Sequence, residues 1–326
     1  MSLVFFQKPV TFGPLFQLVS KLNYHGVDMH FHTTYSMDGV SKIKNVLQEC
    51  KRKGIGIAIT DHNSIEGAIK ALEQNTGLFI IPGIEVTCKN GVHLMFYFPE
   101  GHLLEKFYYT EIKPLMRKNP FFLPISVEEM MNKARKYDCY LSVPHPYGPG
   151  VIGMMKEGSP DKKLLKDIDM VEVVNGACLE HENKKAVAWS KQIKKGMCAG
   201  SDGHSLVQLG KVLCFSYGKN PRQFLESIKK GNSVCIGQRE NIFEEIIHTA
   251  AKFIHEEKHE RGKLLELYRS RYRTEHDYLM HKLRGDEDKF LAHFHAHHMD
   301  LTAEHRHKMR KYSEFKGIVK EKGRKI

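Results

Sequence analysis

Short apolar runs that each end in a histidine or a carboxylate recur through this chain and constrain its fold more than any other feature. Each run has the length and composition of a buried parallel strand. Polar residues that repeatedly follow such strands are typical of an α/β barrel, which builds its active site at the carboxyl ends of its strands. The runs are Ile55–Ile59, Leu78–Ile81, Cys139–Val143 and Met197–Ala199, and they are followed by Thr60-Asp61-His62-Asn63, Pro82-Gly83-Ile84-Glu85, Pro144-His145-Pro146 and Gly200-Ser201-Asp202-Gly203-His204.

A His-x-His pair comes first in this series. Asp28-Met-His30-Phe-His32 ends an apolar segment, and Asp38-Gly39 follows six residues later. Alternate residues of a strand lie on one face, so both imidazoles point the same way. A further run, His93–Phe98, begins with its histidine instead of ending in one. The pattern predicts a metal site.

Helical segments alternate with these strands from Tyr24 to about Gly237, which predicts the α/β class with a parallel sheet closed into a barrel. Several helices begin at Ser or Pro, which favour the first turn. Glu100–Pro124 interrupts the alternation, and we interpret it as an excursion over the barrel mouth. The predicted helices are 41–53, 64–74, 126–137, 179–195 and 221–230.

The composition changes near residue 238 and predicts a domain boundary there. All twelve prolines and all seven cysteines lie before it, whereas eleven of the twenty histidines follow it. Apolar residues recur at helical spacing after Glu240, and basic residues concentrate after Arg306. We therefore predict a barrel domain over residues 1–238 and a basic, His-rich helical extension over 239–326.

Composition alone sets broad limits. The chain has 326 residues, 41% of them hydrophobic, and a formal net charge of +12, which favours an anionic partner such as a phosphorylated metabolite or nucleic acid. The cysteines form no Cys-x-x-Cys pair or disulfide pattern. No signal-peptide pattern or membrane-length apolar stretch occurs, so the expected location is cytoplasmic.

Six of the nine histidines before Gly237 lie at strand ends near carboxylates. A single histidine of this kind is usually a hydrogen-bonded core residue, but random placement would not select strand ends so consistently. The set therefore predicts metal ligands. In the extension, the histidines of Phe294-His-Ala-His-His298 and His305-Arg-His307 are an alternative metal site, but their helical spacing scatters them and favours a solvated helix face.

The ordered motifs resemble the polymerase and histidinol phosphatase (PHP) superfamily of metal-dependent phosphoesterases. The resemblance covers about residues 24–237 and implies a distorted (β/α)7, TIM-like barrel. It also implies two or three divalent ions at the mouth. One departure is that Ser36-Met37-Asp38-Gly39 stands where many relatives have Ser-Asp-Gly.

The resemblance implies a ligand set. His30, His32 and Asp202 would bind a first metal, and Glu85 would bridge it to a second. His93 and His145 would complete the second metal, with His102 as a nearby alternative to His93. Asp38, His62 and His204 would bind the third, and catalysis would depend most on Glu85, Asp202 and His204.

Imidazole and carboxylate ligands without thiolate suit Zn, Mn or Fe(II). We interpret the protein as a phosphoesterase that hydrolyses a phosphomonoester, either a small molecule or a nucleotide, with a metal-activated water. A nuclease or nucleotide phosphodiesterase with the same metals is one alternative, and an inactive PHP module used for binding is another. Nucleic acid is a candidate partner of the basic extension, and no membrane partner is expected.

Other residues carry weaker signals. Asp61 either orients imidazole rings or caps the helix that follows. Asn175 either faces the site or forms a turn with Gly176. Surface exposure is the favoured interpretation for five candidate phosphate contacts, Tyr35, Arg117, Lys118, Arg135 and Lys211.

Overall fold

The computed structural model describes residues 2–6, 22–36, 38–74, 76–89, 91–116, 122–148, 153–157 and 162–237. Arg117, Lys118 and the predicted extension over 239–326 lie outside these residues. The predicted domain boundary at residue 238 stays a prediction. Among the described residues, no helix has the length and apolar character needed to cross a membrane.

The described chain forms an α/β fold around one sheet of ten strands. In order across the sheet these are β1, β10, β9, β2, β3, β4, β5, β6, β7 and β8. The strands are β1 Leu3–Phe5, β2 Tyr24–Phe31, β3 Gly56–Ile59, β4 Ile80–Thr87, β5 His93–Tyr97, β6 Tyr140–Val143, β7 Met170–Asn175, β8 Gly196–Gly200, β9 Val212–Tyr217 and β10 Ser233–Gly237.

The sheet curls until β8 returns to the side of β2, which makes strands β2 to β8 a distorted barrel. The His32 N–H donates to the Gly203 carbonyl at 2.8 Å, just beyond β8. Gly200 allows this approach, because a Cβ atom there would lie 2.3 Å from the Cβ of His30. The predicted α/β barrel is confirmed.

The sheet is mixed, so the prediction of a wholly parallel sheet was wrong. β2, β3 and β4 are parallel, as are β6, β7 and β8, but β5 is antiparallel to both β4 and β6. The connection from β4 to β5 spans only residues 88–92, too short for a crossover helix. β4 also extends through Glu85 to Thr87, whereas the sequence predicts its end at Ile81.

In the described part of the chain, seven α-helices connect the strands: α1 Ile43–Lys53, α2 Glu66–Glu73, α3 Gly101–Phe107, α4 Val127–Ala134, α5 Lys162–Asp167, α6 Glu180–Ile193 and α7 Pro221–Lys229. The five predicted helices are confirmed as α1, α2, α4, α6 and α7. Local signals set their ends: Ser126 and Glu129 form a capping box before α4, and Asn220 caps α7, whose first residue is Pro221.

The described first part of the excursion predicted over the barrel mouth instead contributes to the outer helix layer. Its first part forms α3, a π-helical turn Tyr108–Ile112 and a 3-10 turn Lys113–Leu115. Phe107 packs against Phe96 and Phe98 with ring centroids 5.2 and 5.4 Å apart. Phe96 and Phe98 alternate along the chain with His93, Met95 and Tyr97, so they lie on the face of β5 opposite to His93. Burial of this aromatic cluster holds α3 against the barrel wall.

Candidate metal centre

β2 delivers the first two imidazoles to the barrel interior. His30 lies within the strand and His32 directly follows it, so both side chains project from the same face. Both residues are fully buried, and their Nε2 atoms are 3.0 Å apart. Phe31, between them, pairs with Gly203 on the neighbouring segment. The His-x-His spacing therefore places two nitrogen donors side by side.

Glu85 lies between two pairs of imidazoles. Its Oε2 atom is 3.4 Å from the Nε2 atoms of both His30 and His32. Its Oε1 atom is 2.9 Å from His93 Nδ1 and 3.1 Å from His145 Nε2. The extension of β4 beyond its predicted end brings this carboxylate opposite β5. Oε2 is also 3.1 Å from His62 Nδ1, so this one side chain contacts five candidate imidazole ligands.

Asp202 completes the group around the His-x-His pair. Its Oδ1 atom is 3.5 Å from His30 Nε2 and 3.3 Å from His32 Nε2. The residue follows β8 with φ of 50°, and His145, which follows β6, has φ of 28°. Non-glycine residues rarely adopt such angles, and such strain is concentrated at functional sites.

A third group forms where the loop after β2 meets the segments after β3 and β8. The Oδ2 atom of Asp38 is 3.0 Å from His204 Nε2 and 3.6 Å from His62 Nε2. The hydroxyl of Ser36 donates to the other Asp38 oxygen at 2.7 Å. The loop that carries the inserted residue therefore still brings Asp38 to the site.

All nine predicted ligands meet in this cluster, and their donor atoms fit divalent ions. Around the His-x-His pair, nitrogen and oxygen donors lie 3.0–3.5 Å apart, and ligands about 2.1 Å from a tetrahedral ion are separated by about 3.4 Å. The Nδ1 atoms of His32 and His145 are buried without a hydrogen-bond partner among the described residues. The four groupings are His32, Asp38, His62 and His204; His30, His32 and Glu85; His30, His145 and Asp202; and His62, Glu85 and His93.

The charges of the cluster stabilise one another. Burial disfavours ionisation of Glu85, yet the imidazoles of His93, His62 and His30 outweigh it and hold the pKa of the carboxyl well below its usual range. The pKa values of Asp38 and Asp202 are lowered in the same way by neighbouring histidines. The carboxylates therefore stay ionised in a buried site, which is the form that binds metal.

Glu172 is the residue that sequence reasoning missed. It lies in the middle of β7, is 2% exposed, and contacts His30 Nδ1 at 3.0 Å. Asn175 faces the site and also turns the chain, because its Nδ2 donates to Glu172 and Asp202 while its Oδ1 accepts from the Ala177 N–H. The signal that could have identified Glu172 in the sequence is a single carboxylate within the apolar run Met170–Val174.

Asp61 takes neither role suggested by the sequence. Its carboxylate accepts from the N–H and the hydroxyl of Thr33 at 2.6 and 2.8 Å. The cap residue of α2 is Ile65, with no side-chain cap hydrogen bond. Burial raises the pKa of Asp61 to about 6. Asp61 thus fixes the backbone that follows His32, and it does not cap the helix.

The remaining sequence-predicted candidates do not belong to the cluster of nine ligands. His102 is 67% exposed beside Glu100, whereas its alternative His93 is buried against Glu85. Arg135 forms an exposed ion pair with Asp167. Lys211 lies directly before β9. Tyr35 accepts a hydrogen bond from the Lys70 ammonium at 2.6 Å.

Comparisons with known proteins agree with this architecture. Two uncharacterized proteins of Methanocaldococcus jannaschii are 30% identical over 161 residues and 24% identical over 230 residues, covering 45% and 66% of this chain and 80% and 84% of their own lengths. The lesion-specific endonuclease PfuEndoQ from Pyrococcus furiosus shares the fold with a TM-score of 0.53 at 19% identity, over 65% of this chain and 57% of that one.

The family comparison covers most of the sequence. The profile of the PHP domain matches residues 28–315, which include every residue of the buried cluster. The chain therefore belongs to the PHP family of metal-dependent phosphoesterases.

Proposed function

We propose that this protein hydrolyses a phosphomonoester in a metal-dependent reaction. The observation that supports the proposal is the convergence of nine candidate ligands, from segments in or directly beside six different strands, in one buried cluster at the barrel mouth. Six of the nine are at most 2% exposed. Imidazole nitrogens and carboxylate oxygens are the ligands that Zn, Mn and Fe(II) bind in proteins.

The proposed roles are those that the family resemblance implies; by donor distances, His145 also groups with His30 and Asp202, and His62 with Glu85 and His93. His30, His32 and Asp202 hold one ion, and Glu85 joins it to a second ion held by His93 and His145. Asp38, His62 and His204 hold a third. Zn, Mn and Fe(II) suit these donors. When bound, such ions polarise phosphoryl oxygens and lower the pKa of a water molecule towards neutrality.

Glu85, Asp202 and His204 are the residues on which we expect turnover to depend most. Glu85 contacts both groups on its two sides, so its loss separates them. The Asp202 side chain is the most exposed of the cluster at 12%, and the His204 side chain, two residues away, follows at 7%. A substrate that reaches the cluster from solvent therefore meets this edge first.

A metal-reconstituted substrate screen tests the proposal. Full-length protein loaded with Zn²⁺ or Mn²⁺ is assayed for phosphate release from phosphomonoesters and nucleotides, and for cleavage of short oligonucleotides. We expect inorganic phosphate from a monoester, and loss of this activity after chelation. Metal analysis that finds less than one equivalent per chain after reconstitution would show the site assignment to be wrong.

Hydrolysis of a phosphodiester in nucleic acid is the second candidate. It is favoured by the net charge of +12 and by the fold shared with the endonuclease from Pyrococcus furiosus. Cleavage of an oligonucleotide without release of terminal phosphate would select this candidate. Bound metal without hydrolysis of any substrate class would instead indicate a binding module, although the complete ligand set argues against that outcome.

A further inference from the structure

Glu172 is a buried carboxylate whose two oxygens both form hydrogen bonds with residues of the candidate metal centre or beside it. It is the one carboxylate of β7, which otherwise contains apolar residues and Asn175, and its side chain points into the barrel towards His30. Its Oε1 atom contacts His30 Nδ1 at 3.0 Å. Its Oε2 atom accepts from the His145 N–H at 2.8 Å and from Asn175 Nδ2 at 2.9 Å. These contacts reach residues assigned to two different ions.

The contact with His30 determines which imidazole nitrogen is available as a donor. An ionised carboxylate only accepts hydrogen bonds, so Nδ1 of His30 carries the proton. In the neutral imidazole, which is the form that binds metal, the lone pair is then on Nε2, the atom that faces Glu85 and Asp202 at 3.4 and 3.5 Å. A carboxylate behind a histidine ligand fixes its tautomer and ring orientation in this way.

The second oxygen restrains the backbone on the other side of the centre. His145 lies between Pro144 and Pro146 with φ of 28°, a conformation that needs support from its surroundings. The hydrogen bond from its N–H to Glu172 supplies such support. Asn175 extends the network, because its Nδ2 atom also lies 3.2 Å from the Asp202 carboxylate.

We propose that Glu172 is a positioning residue that prepares both sides of the centre for metal, through the tautomer of His30 and the backbone of His145. This inference rests on the proposed metal site. It assigns a role to a side chain that does not itself belong to the donor groups.

The substitution Glu172→Gln tests the tautomer directly because it changes no bulk. An amide has one accepting oxygen and one donating NH₂ group. The backbone N–H of His145 can only donate, so the oxygen must face it and the NH₂ group must face His30. Nδ1 of His30 then has to accept, which moves the ring proton to Nε2. Nε2 of His30, which faces the other ligands, would then have no lone pair with which to bind metal.

The experiment measures Zn²⁺ affinity of the full-length protein by competition with a chromophoric chelator. We expect Glu172→Gln to bind Zn²⁺ about 10–100-fold more weakly than wild type, the range found for residues that support metal ligands. The visible spectrum of the Co²⁺-substituted protein should change as well. Glu172→Asp keeps two accepting oxygens and should bind more tightly than Glu172→Gln.

Glu111→Gln is the matched control. Glu111 is also a buried carboxylate, and its two oxygens accept from Lys133 and Tyr137 in the helix layer. Its substitution should leave Zn²⁺ affinity unchanged. Equal affinities of wild type and Glu172→Gln would overturn the role of Glu172 alone, whereas wild type that binds no Zn²⁺ would overturn the proposed function.

A measurement on the wild type guards against a poorly folded variant. In Zn²⁺-loaded protein labelled with ¹⁵N-histidine, the ring of His30 should carry its proton on Nδ1. A proton on Nε2 would contradict the inference whatever the variants do. Thermal unfolding of the metal-free variants separates loss of fold from loss of metal affinity.

Discussion

At the scale of single residues, Glu85 is the side chain whose loss should affect hydrolysis most. Its Oε2 atom contacts His30, His32 and His62, and its Oε1 atom contacts His93 and His145, so Glu85→Gln removes the charge that joins these imidazoles. We expect turnover of a phosphomonoester to fall about a hundredfold or more, which corresponds to ~3 kcal/mol of transition-state stabilisation.

Asp38→Asn is the comparison for Glu85→Gln. Asp38 belongs to the third group, where its Oδ2 atom contacts His204 and His62. We expect Asp38→Asn to lower turnover less than Glu85→Gln does. Steady-state kinetics of both variants with a common substrate measure the difference. Near-wild-type turnover of Glu85→Gln, with the fold intact by circular dichroism, would contradict the bridging role.

His30 gives the metal-free protein a pH dependence with a defined sign. Burial lowers the pKa of this imidazole, but the carboxylates of Asp202, Glu172 and Glu85 outweigh burial and hold it well above its ordinary value. A pKa raised by folding adds stability that is fully present below the unfolded value of about 6.5 and is lost as the pH rises through the folded pKa.

We therefore expect the Tm of the metal-free protein to fall as the pH is raised from about 6 to about 9. Zn²⁺ takes the place of the ring proton, so metal affinity should rise over the same range and offset the loss. Thermal unfolding of chelator-treated and Zn²⁺-loaded samples checks both trends. A metal-free Tm that increases with pH would show that the His30 cation does not stabilise the fold.

The candidate ligands could be predicted from sequence because they occur in ordered motifs, whereas their supporting residues could not. His30 and His32 carry a recognisable spacing, and Asp202 and His204 follow an apolar run. Glu172 has no motif of its own, and only the return of β7 to the barrel interior brings it to His30. Its neighbour Asn175 was recognised as a candidate because it ends the strand.

At the scale of secondary structure, strands β8 and β2 approach each other closely at Gly200. A Cβ atom on Gly200 would lie 2.3 Å from the His30 Cβ and 2.5 Å from its backbone nitrogen. Gly200→Ala would therefore separate the two strands where the first group of ligands forms. We expect a loss of ~1–3 kcal/mol in the free energy of unfolding, together with reduced metal content.

Gly77→Ala provides a control for Gly200→Ala. Gly77 has φ of +69°, and a Cβ atom there would meet no atom of the described residues within 4 Å, so its substitution strains the backbone without crowding the site. It should cost ~1 kcal/mol and leave metal content unchanged. Chemical denaturation and metal analysis of the two variants distinguish the cases; full metal content in Gly200→Ala would show that the close approach does not position the ligands.

Most elements were predicted to within a few residues because their signals are local. Helix α4 begins at a capping box and α7 at a capping asparagine followed by proline. The direction of β5 and the full length of β4 depend on pairing between the two strands, from Gly83 opposite Tyr97 to Thr87 opposite His93. Such non-local pairing leaves no pattern within either segment, and propensity alone ended β4 too early.

At the scale of the whole molecule, all nine candidate ligands lie before residue 205, so none of them belongs to the extension after residue 238. The family match continues to residue 315 and therefore includes most of the extension. We expect a chain that ends at Gly237 to keep bound metal and hydrolysis of a small phosphomonoester, because it retains the whole ligand set. Loss of both, with aggregation, would show that the barrel needs the extension to fold.

The basic residues after Arg306 predict a second, separable property of the extension. Residues 240–326 contain 19 Lys and Arg against 16 Asp and Glu, and the excess is concentrated at the end. If these cations contact phosphates, full-length protein should bind a labelled oligonucleotide more tightly than the shortened chain, and its affinity should fall steeply with salt. Titrations of both chains at two salt concentrations measure this. If the extension binds phosphates, its removal must weaken the salt-dependent binding of the oligonucleotide. Equal binding by both chains, or binding by neither, would therefore assign the extension to packing or assembly.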